Sequence, residues 1–158
     1  MRRLPIAPLL LAASCAGSRE AVQIEPPRTE AEGPGIGRML DLDLEENGPL
    51  TLQAVTGRVT VVCVIREGGG PVVQACDDAA SLFGDRVTVV GLDTTGTVDP
   101  RLVPFRIYPD PEGAQLQERL GLDPAPKVLA TDKRGRVARV LAEADLDVLD
   151  ASLRKLVE

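Results

Sequence analysis

Histidine and tryptophan are absent from this chain of 158 residues, and two Phe and one Tyr are its only aromatic side chains. Without His there is no Ser-His-Asp or Cys-His nucleophile pair, and the commonest metal ligand is missing. Positive charge is the minority: 18 Lys and Arg stand against 24 Asp and Glu, a formal net charge of −6. No basic stripe is available to neutralise phosphates, which argues against nucleic acid as a partner. Long apolar runs are scarce as well. The run over residues 4–13 is interrupted by Pro5 and Pro8 and is too short for a helix that spans a bilayer. Three cysteines are present, Cys15, Cys63 and Cys76. The expectation is a protein without metal or cofactor, of one ordinary domain plus appendages.

Arg2 and Arg3 give the N-terminus a positive flank ahead of its short apolar run, the pattern of a secretory signal. Leu11-Ala12-Ala13-Ser14-Cys15 places small residues before a cysteine and resembles a bacterial lipobox. Residues 1–14 are therefore expected to be a lipoprotein signal peptide, with Cys15 the lipidated first residue of the mature chain. A plain secretory signal followed by an incidental Cys15 is the alternative. Residues 15–37 are rich in Glu, Pro, Gly and Ser and show no apolar periodicity, the composition of a flexible acidic tether. The expected location is the bacterial cell envelope. The folded domain would be lipid-anchored and held in the periplasm or otherwise outside the cytoplasmic membrane.

Residues 38–158 carry the alternations of one α/β domain. Leu40, Leu42 and Leu44 alternate with Asp41 and Asp43 as a half-buried strand does. Asn47-Gly48 is a hairpin signal before Leu50-Thr51-Leu52. Residues 59–65 are apolar on both faces, as a parallel strand covered by helices should be. After Gly68-Gly69-Gly70-Pro71 an amphipathic helix places Val72, Cys76, Ala79 and Phe83 on one face. A β-branched run from Val87 follows, so the two strands and the helix form a right-handed parallel crossover. Residues 94–110, with Pro100, Pro104 and Pro109, read as irregular. A helix opened by Pro111-Glu112-Gly113 and stopped by Gly121 comes next. Two strands joined by Asp132-Lys133-Arg134-Gly135 form a hairpin, and a helix with Leu146, Leu149, Leu153 and Leu156 at helical spacing closes the chain. The fold class is α/β, a central mixed sheet flanked by helices with an N-terminal hairpin extension.

This order of elements resembles the redoxin branch of the thioredoxin-like superfamily, which includes thioredoxin-like lipoproteins and peroxiredoxins. Leu42-Asp43-Leu44 and Leu50-Thr51-Leu52 are similar to the family's opening hairpin, and Gly57-Arg58-Val59 to its entry into the central strand. Tyr108-Pro109-Asp110-Pro111-Glu112-Gly113 resembles its Asp-Pro-x-Gly segment, and Asp132 to Gly135 its Asp-x-x-Gly turn. Pro126, before Lys127-Val128-Leu129, falls where the family keeps a cis-proline opposite its thiol site. The resemblance implies an ancestral site at the loop of Gly68, Gly69, Gly70, Pro71 and Val72, with Pro126 across from it.

The chemistry of that site departs from the family. Thioredoxin-type exchange needs a thiolate at a helix N-terminus and a second thiol three residues on. Here the Cys-x-x-Cys positions resemble Gly69-Gly70-Pro71-Val72, and the Trp that commonly precedes the pair is absent. The copper-chaperone relatives need two Cys and a His. Val73-Gln74-Ala75-Cys76 resembles the stretch that ends in the resolving Cys of one peroxiredoxin subgroup, which puts the peroxidatic position at Pro71. Cys76 is thus the one catalytic candidate, set against its place on the apolar helix face. Cys63 lies in the apolar strand. A Cys63–Cys76 disulfide stays open, because it needs Cα atoms within about 7 Å. The glycine loop offers backbone N–H groups to an anion, against the plainer reading of a decayed site. Arg134, Arg136 and Arg139 read as guards of an exposed edge strand. The expected function is a membrane-anchored, redoxin-like lipoprotein that has lost thiol–disulfide catalysis and acts as a binding or accessory module in the cell envelope, its partner open, with an envelope protein or peptide as the candidate. A divergent thiol oxidoreductase or antioxidant using Cys76 is the alternative.

Overall fold

Seven consecutive residues from Val59 to Ile65 are mostly β-branched, and every one is buried. A strand alternates its side chains between two faces, so such a run is stable only when both faces are covered. The computed structural model, which describes residues 33–44, 51–66 and 69–158, shows how that is done. The signal peptide, Cys15, residues 15–32 of the tether, the Asn47-Gly48 turn and Gly68 lie outside the described residues.

The chain runs β1 (Asp41–Asp43), β2 (Thr51–Gln53), β3 (Val59–Ile65), α1 (Gly70–Phe83), β4 (Val87–Asp93), β5 (Arg106–Pro109), α2 (Ala114–Leu120), β6 (Val128–Thr131), β7 (Val137–Leu141) and α3 (Leu146–Val157). β1 and β2 pair antiparallel, with Leu42 opposite Leu52. The main sheet has the order β5-β4-β3-β6-β7. β4 lies parallel to β3 and β5 parallel to β4, whereas β6 and β7 are antiparallel to their neighbours.

Two cores meet at β3. Val62 and Val64 face Leu42, Leu52, Leu116 and Leu120, so the hairpin and α2 cover that side. Val59, Val61, Cys63 and Ile65 face Val72, Cys76, Ala79 and Phe83 of α1 and Leu149 and Leu153 of α3. The buried polar residue of the strand, Thr60, is satisfied: its N–H donates to Thr131 Oγ1 at 3.0 Å and its hydroxyl accepts from Val55 N at 3.3 Å. An unpaired polar group there would carry a penalty of a few kcal/mol.

The helices are capped as their sequences require. The Asp145 carboxylate accepts from the N–H groups of Asp147 and Val148 at the start of α3. Asp110, itself buried, accepts from Gln115 N at 2.9 Å and Leu116 N at 3.3 Å in the first turn of α2. Gly121 ends α2 in the left-handed region at φ 69°, where glycine carries no Cβ penalty.

Three expectations are corrected. The segment 94–110 is not irregular throughout: residues 106–109 form β5, an edge strand that tolerates Pro109 because a sheet edge does not need every N–H. Leu146 is 40% exposed and only Leu149 and Leu153 are fully buried, because Leu146 is the first helical residue and precedes the stretch of α3 that rests on the sheet. Residues 33–37 pack on the domain instead of ending the tether. Gly37 N donates to Val137 O at 2.7 Å, and Ile36 rests against the core. A lone isoleucine in a glycine-rich turn gives no periodic signal, so the domain begins earlier than its pattern does.

Cys63 and Cys76 form a disulfide with Cα atoms 6.6 Å apart, 13 residues apart in sequence, tying β3 to α1. Closing a loop of that size restricts the unfolded chain by about 3 kcal/mol. Cys76→Ala, or complete reduction, is expected to lower the unfolding free energy by about that amount in urea titrations. Equal midpoints for oxidised and reduced protein would show that the bond does not stabilise the fold.

β4 ends at Asp93, whose carboxylate organises the following turn. It accepts from the N–H groups of Thr95 and Gly96 at 2.9 Å, from the Thr95 hydroxyl at 3.0 Å and from Val98 N at 3.0 Å. Burial opposes its ionisation, but the bonds from Val98, Thr95 and Gly96 outweigh burial and hold the carboxyl below its usual range. A depressed carboxylate stabilises the fold above its unfolded-state pKa, roughly 4, and that stability disappears as pH falls through the lower folded value. Asp93→Ala should therefore lose ~2 kcal/mol at neutral pH and show a shallower loss of stability on acidification. Parallel pH–stability curves for the two proteins would refute this role.

Candidate functional site

The candidate site lies where β3 runs out. Arg66 follows the strand, and Gly69 N donates back to the Arg66 carbonyl at 3.1 Å. Gly69 then caps α1 with φ 73°, a left-handed conformation. A Cβ placed there would stand 2.7 Å from Ile65 Cγ2 and 2.8 Å from Val73 Cγ2. Real side chains do not approach so closely, and φ itself disfavours anything but glycine. The position matched above to the first cysteine of an exchange motif is thus closed to a cysteine without backbone movement. Val72, matched to the second, is 8% exposed in the core against β3.

The first turn of α1 has little to offer an anion. Pro71 has no N–H, and the N–H groups of Val72 and Val73 both donate to Gly69 O, at 3.0 and 3.1 Å. Gly70 supplies the remaining donor of that turn. The N-terminus of this helix is largely satisfied by its own cap.

Cys76 lies beneath the loop, 0% exposed, as does Cys63. Bonded to each other, neither sulfur carries a thiolate and neither meets solvent. Cys76 is therefore core, as its helix face implied, and the pairing left open by the sequence is formed.

Across from the loop runs the segment 123–127. Its cis peptide bond joins Asp123 and Pro124, not Ala125 and Pro126. Both prolines follow residues that permit either isomer, so the sequence pattern could not choose between them. Strand pairing resumes at Lys127, whose carbonyl accepts from Val64 N at 2.8 Å and whose N–H donates to Leu141 O at 2.9 Å.

Two side-chain contacts bridge the site. The Arg66 guanidinium donates to the Ala125 carbonyl, and the Lys127 ammonium pairs with the Glu143 carboxylate. On one side of this bridge is a cavity of about 560 Å³, walled by Gly69, Gly70, Pro71, Val72 and Asp145. On the other is a cavity of about 600 Å³, walled by Ile36, Leu122, Pro124, Pro126, Arg139 and Val140. Arg66, Lys127 and Glu143 line both. The two cavities share these three residues, so Gly69 to Val72 and the proline segment border one groove, with Pro126 in the neighbouring chamber. Lys127 and Glu143 were not singled out by sequence reasoning. Nor was Arg66, although a charge at the end of a buried strand stands in a usual place for functional groups in α/β sheets and could have marked it.

No protein-family model matches the sequence, and no curated protein matches it. Solved structures do match. A thioredoxin-like superfamily protein aligns at TM-score 0.59 and 18% identity, covering 76% of this chain and 96% of its own. A DsbF homologue from Corynebacterium diphtheriae aligns at TM-score 0.53 and 19% identity, covering 78% and 85%. A peroxiredoxin-like protein from Aquifex aeolicus aligns at TM-score 0.52 and 11% identity, covering 80% and 88%. Likeness at these identities speaks to architecture alone. Taken with the parallel crossover, the closing hairpin and the groove at the end of the central strand, it establishes that the chain adopts the thioredoxin-like fold.

Proposed function

We propose that this protein is a lipid-anchored lipoprotein of the bacterial cell envelope whose thioredoxin-like domain is a binding or accessory module that has lost thiol–disulfide catalysis. The observation that carries this reading is Gly69: its left-handed φ and the 2.7 Å approach of Ile65 leave no place for a nucleophilic side chain. Exchange requires a reachable thiolate and a second thiol to resolve the mixed disulfide. Among the described residues the cysteines are Cys63 and Cys76, buried and bonded to each other. The groove beside them keeps apolar walls and several polar groups, which suits recognition of an extended peptide or an envelope protein.

One observation favours a second reading, the Cys63–Cys76 pair itself. In a divergent peroxiredoxin-like oxidoreductase, the Cys76 thiolate would attack a peroxide and become a sulfenic acid. Cys63 would then condense with it, releasing water and leaving this disulfide for a dithiol to reduce. That cycle demands an exposed Cys76, which lies at 0% exposure. Thiol titration with and without denaturant, combined with peroxide-consumption and disulfide-reduction assays, separates the readings. The expected result is labelling of Cys63 and Cys76 only after both unfolding and reduction, and equal, background turnover for wild type and Cys76→Ser. Turnover that vanishes in Cys76→Ser would make the second reading correct.

The anchor rests on the run Leu11-Ala12-Ala13-Ser14-Cys15. Expressed in bacteria fed labelled palmitate, the full chain is expected to take up label and partition with membranes, and Cys15→Ser to do neither. Equal labelling of the two would remove the anchor from the proposal.

A further inference from the structure

Resting on the reading of the groove as a binding site, we infer that it selects an extended peptide that carries carboxylates. The inference comes from which polar groups are already committed. Three cations line the groove: Arg66, Lys127 and Arg139. Arg66 spends one N–H on the Ala125 carbonyl, and Arg139 one on the Ala138 carbonyl at 2.7 Å. A guanidinium has five N–H donors, and among the described residues no carboxylate lies within ion-pair distance of either arginine.

The acids of the groove are engaged elsewhere. Asp145 caps α3, and Asp123 accepts from Gln117 Nε2 at 3.2 Å on α2. Glu143 is the exception, because it sits on Lys127 in the middle of the groove. That pair is open to water, with the two side chains 44% and 75% exposed, and exposed pairs of this kind are weak and easily exchanged. Glu143 thus occupies the place that a ligand carboxylate would take.

The shape argues for a chain. The two cavities meet across Arg66, Lys127 and Glu143. A small anion at this bridge would leave both apolar chambers empty. An extended peptide, advancing roughly 3.3 Å per residue, crosses the bridge and sets side chains into both. Its carboxylates then meet the arginines and Lys127, while Pro71, Pro124 and Pro126 receive its apolar groups.

The test uses the full chain in non-ionic detergent and dye-labelled nonapeptides rich in Ala, Val and Pro, read by fluorescence anisotropy. One peptide carries two Glu and a free C-terminus; in its counterparts Gln or Lys replaces Glu and the end is amidated. The acidic peptide is expected to bind at least about fivefold more tightly than the Gln peptide, with most of that margin lost between ~0.05 and ~0.5 M salt. Arg66→Gln and Lys127→Gln should each erase much of the margin. Lys127→Gln leaves the Arg66–Ala125 contact intact, so a folding defect in one variant does not decide the matter. Glu143→Gln should tighten acidic-peptide binding roughly threefold by removing the internal competitor. Equal binding of the Glu and Gln peptides, preference for Lys, or weakening by Glu143→Gln overturns the selectivity and leaves the binding module standing. Absence of binding by every peptide overturns both.

Discussion

The constraint on which the rest of the structure depends is the burial of β3 on both faces. Hydrophobic burial is the dominant favourable term in folding, and here it is concentrated on one strand. Val62 and Val64 hold the hairpin and α2, while Val59, Val61, Cys63 and Ile65 hold α1 and α3. The Cys63–Cys76 bond adds a covalent link between the strand and α1, the helix that leads away from the groove. Whatever happens at the mouth of the groove happens on a rigid support.

That rigidity also decides the local chemistry. Because Ile65 ends the strand inside the core, the chain has to turn immediately to start α1, and Gly69 makes the turn in the left-handed region. Ile65 and Val73 then close over the place where a side chain would project. A catalytic thiol in a thioredoxin-like protein has to be both fixed at a helix start and open to its partner. Here the helix start is fixed by Gly69, and among the described residues no open thiol stands at it. The sulfurs of Cys63 and Cys76 lie inside the core, bonded to each other. Arg66, the next residue after the strand, holds the proline segment through Ala125.

Those parts of the fold that repeat with a period were legible from sequence. The alternation of Leu40, Leu42 and Leu44, the unbroken run of β3 and the stripe of Val72, Cys76, Ala79 and Phe83 all reflect burial by one face, and all are buried. β5 was not legible, because four residues between prolines carry no alternation, and its pairing with β4 is a tertiary event. The same holds for the disulfide: its 13-residue spacing says nothing until the helix docks and brings the Cα atoms within 6.6 Å. At the site, the glycine loop was visible as composition. The contacts that shape the groove were not, since Arg66 meets Ala125 across 59 residues and Lys127 meets Glu143 across 16. The resemblance pointed to Pro126 for the cis bond, and the structure has it one proline earlier, at Asp123-Pro124.

Charge sets a condition on how such a groove can work. The whole chain bears −6, so its long-range field repels an acidic partner, whereas Arg66, Lys127 and Arg139 attract one at close range. At physiological salt the field decays over about 8 Å, which is shorter than the breadth of a domain and comparable to the width of a groove. The repulsion is therefore screened before contact, and the local cations act once the partner is seated. Such an arrangement favours discrimination over rapid capture. Steering would require a positive field reaching into solvent, which a net charge of −6 opposes. Glu143 tempers that discrimination, because a carboxylate has to displace it from Lys127 while a neutral ligand does not.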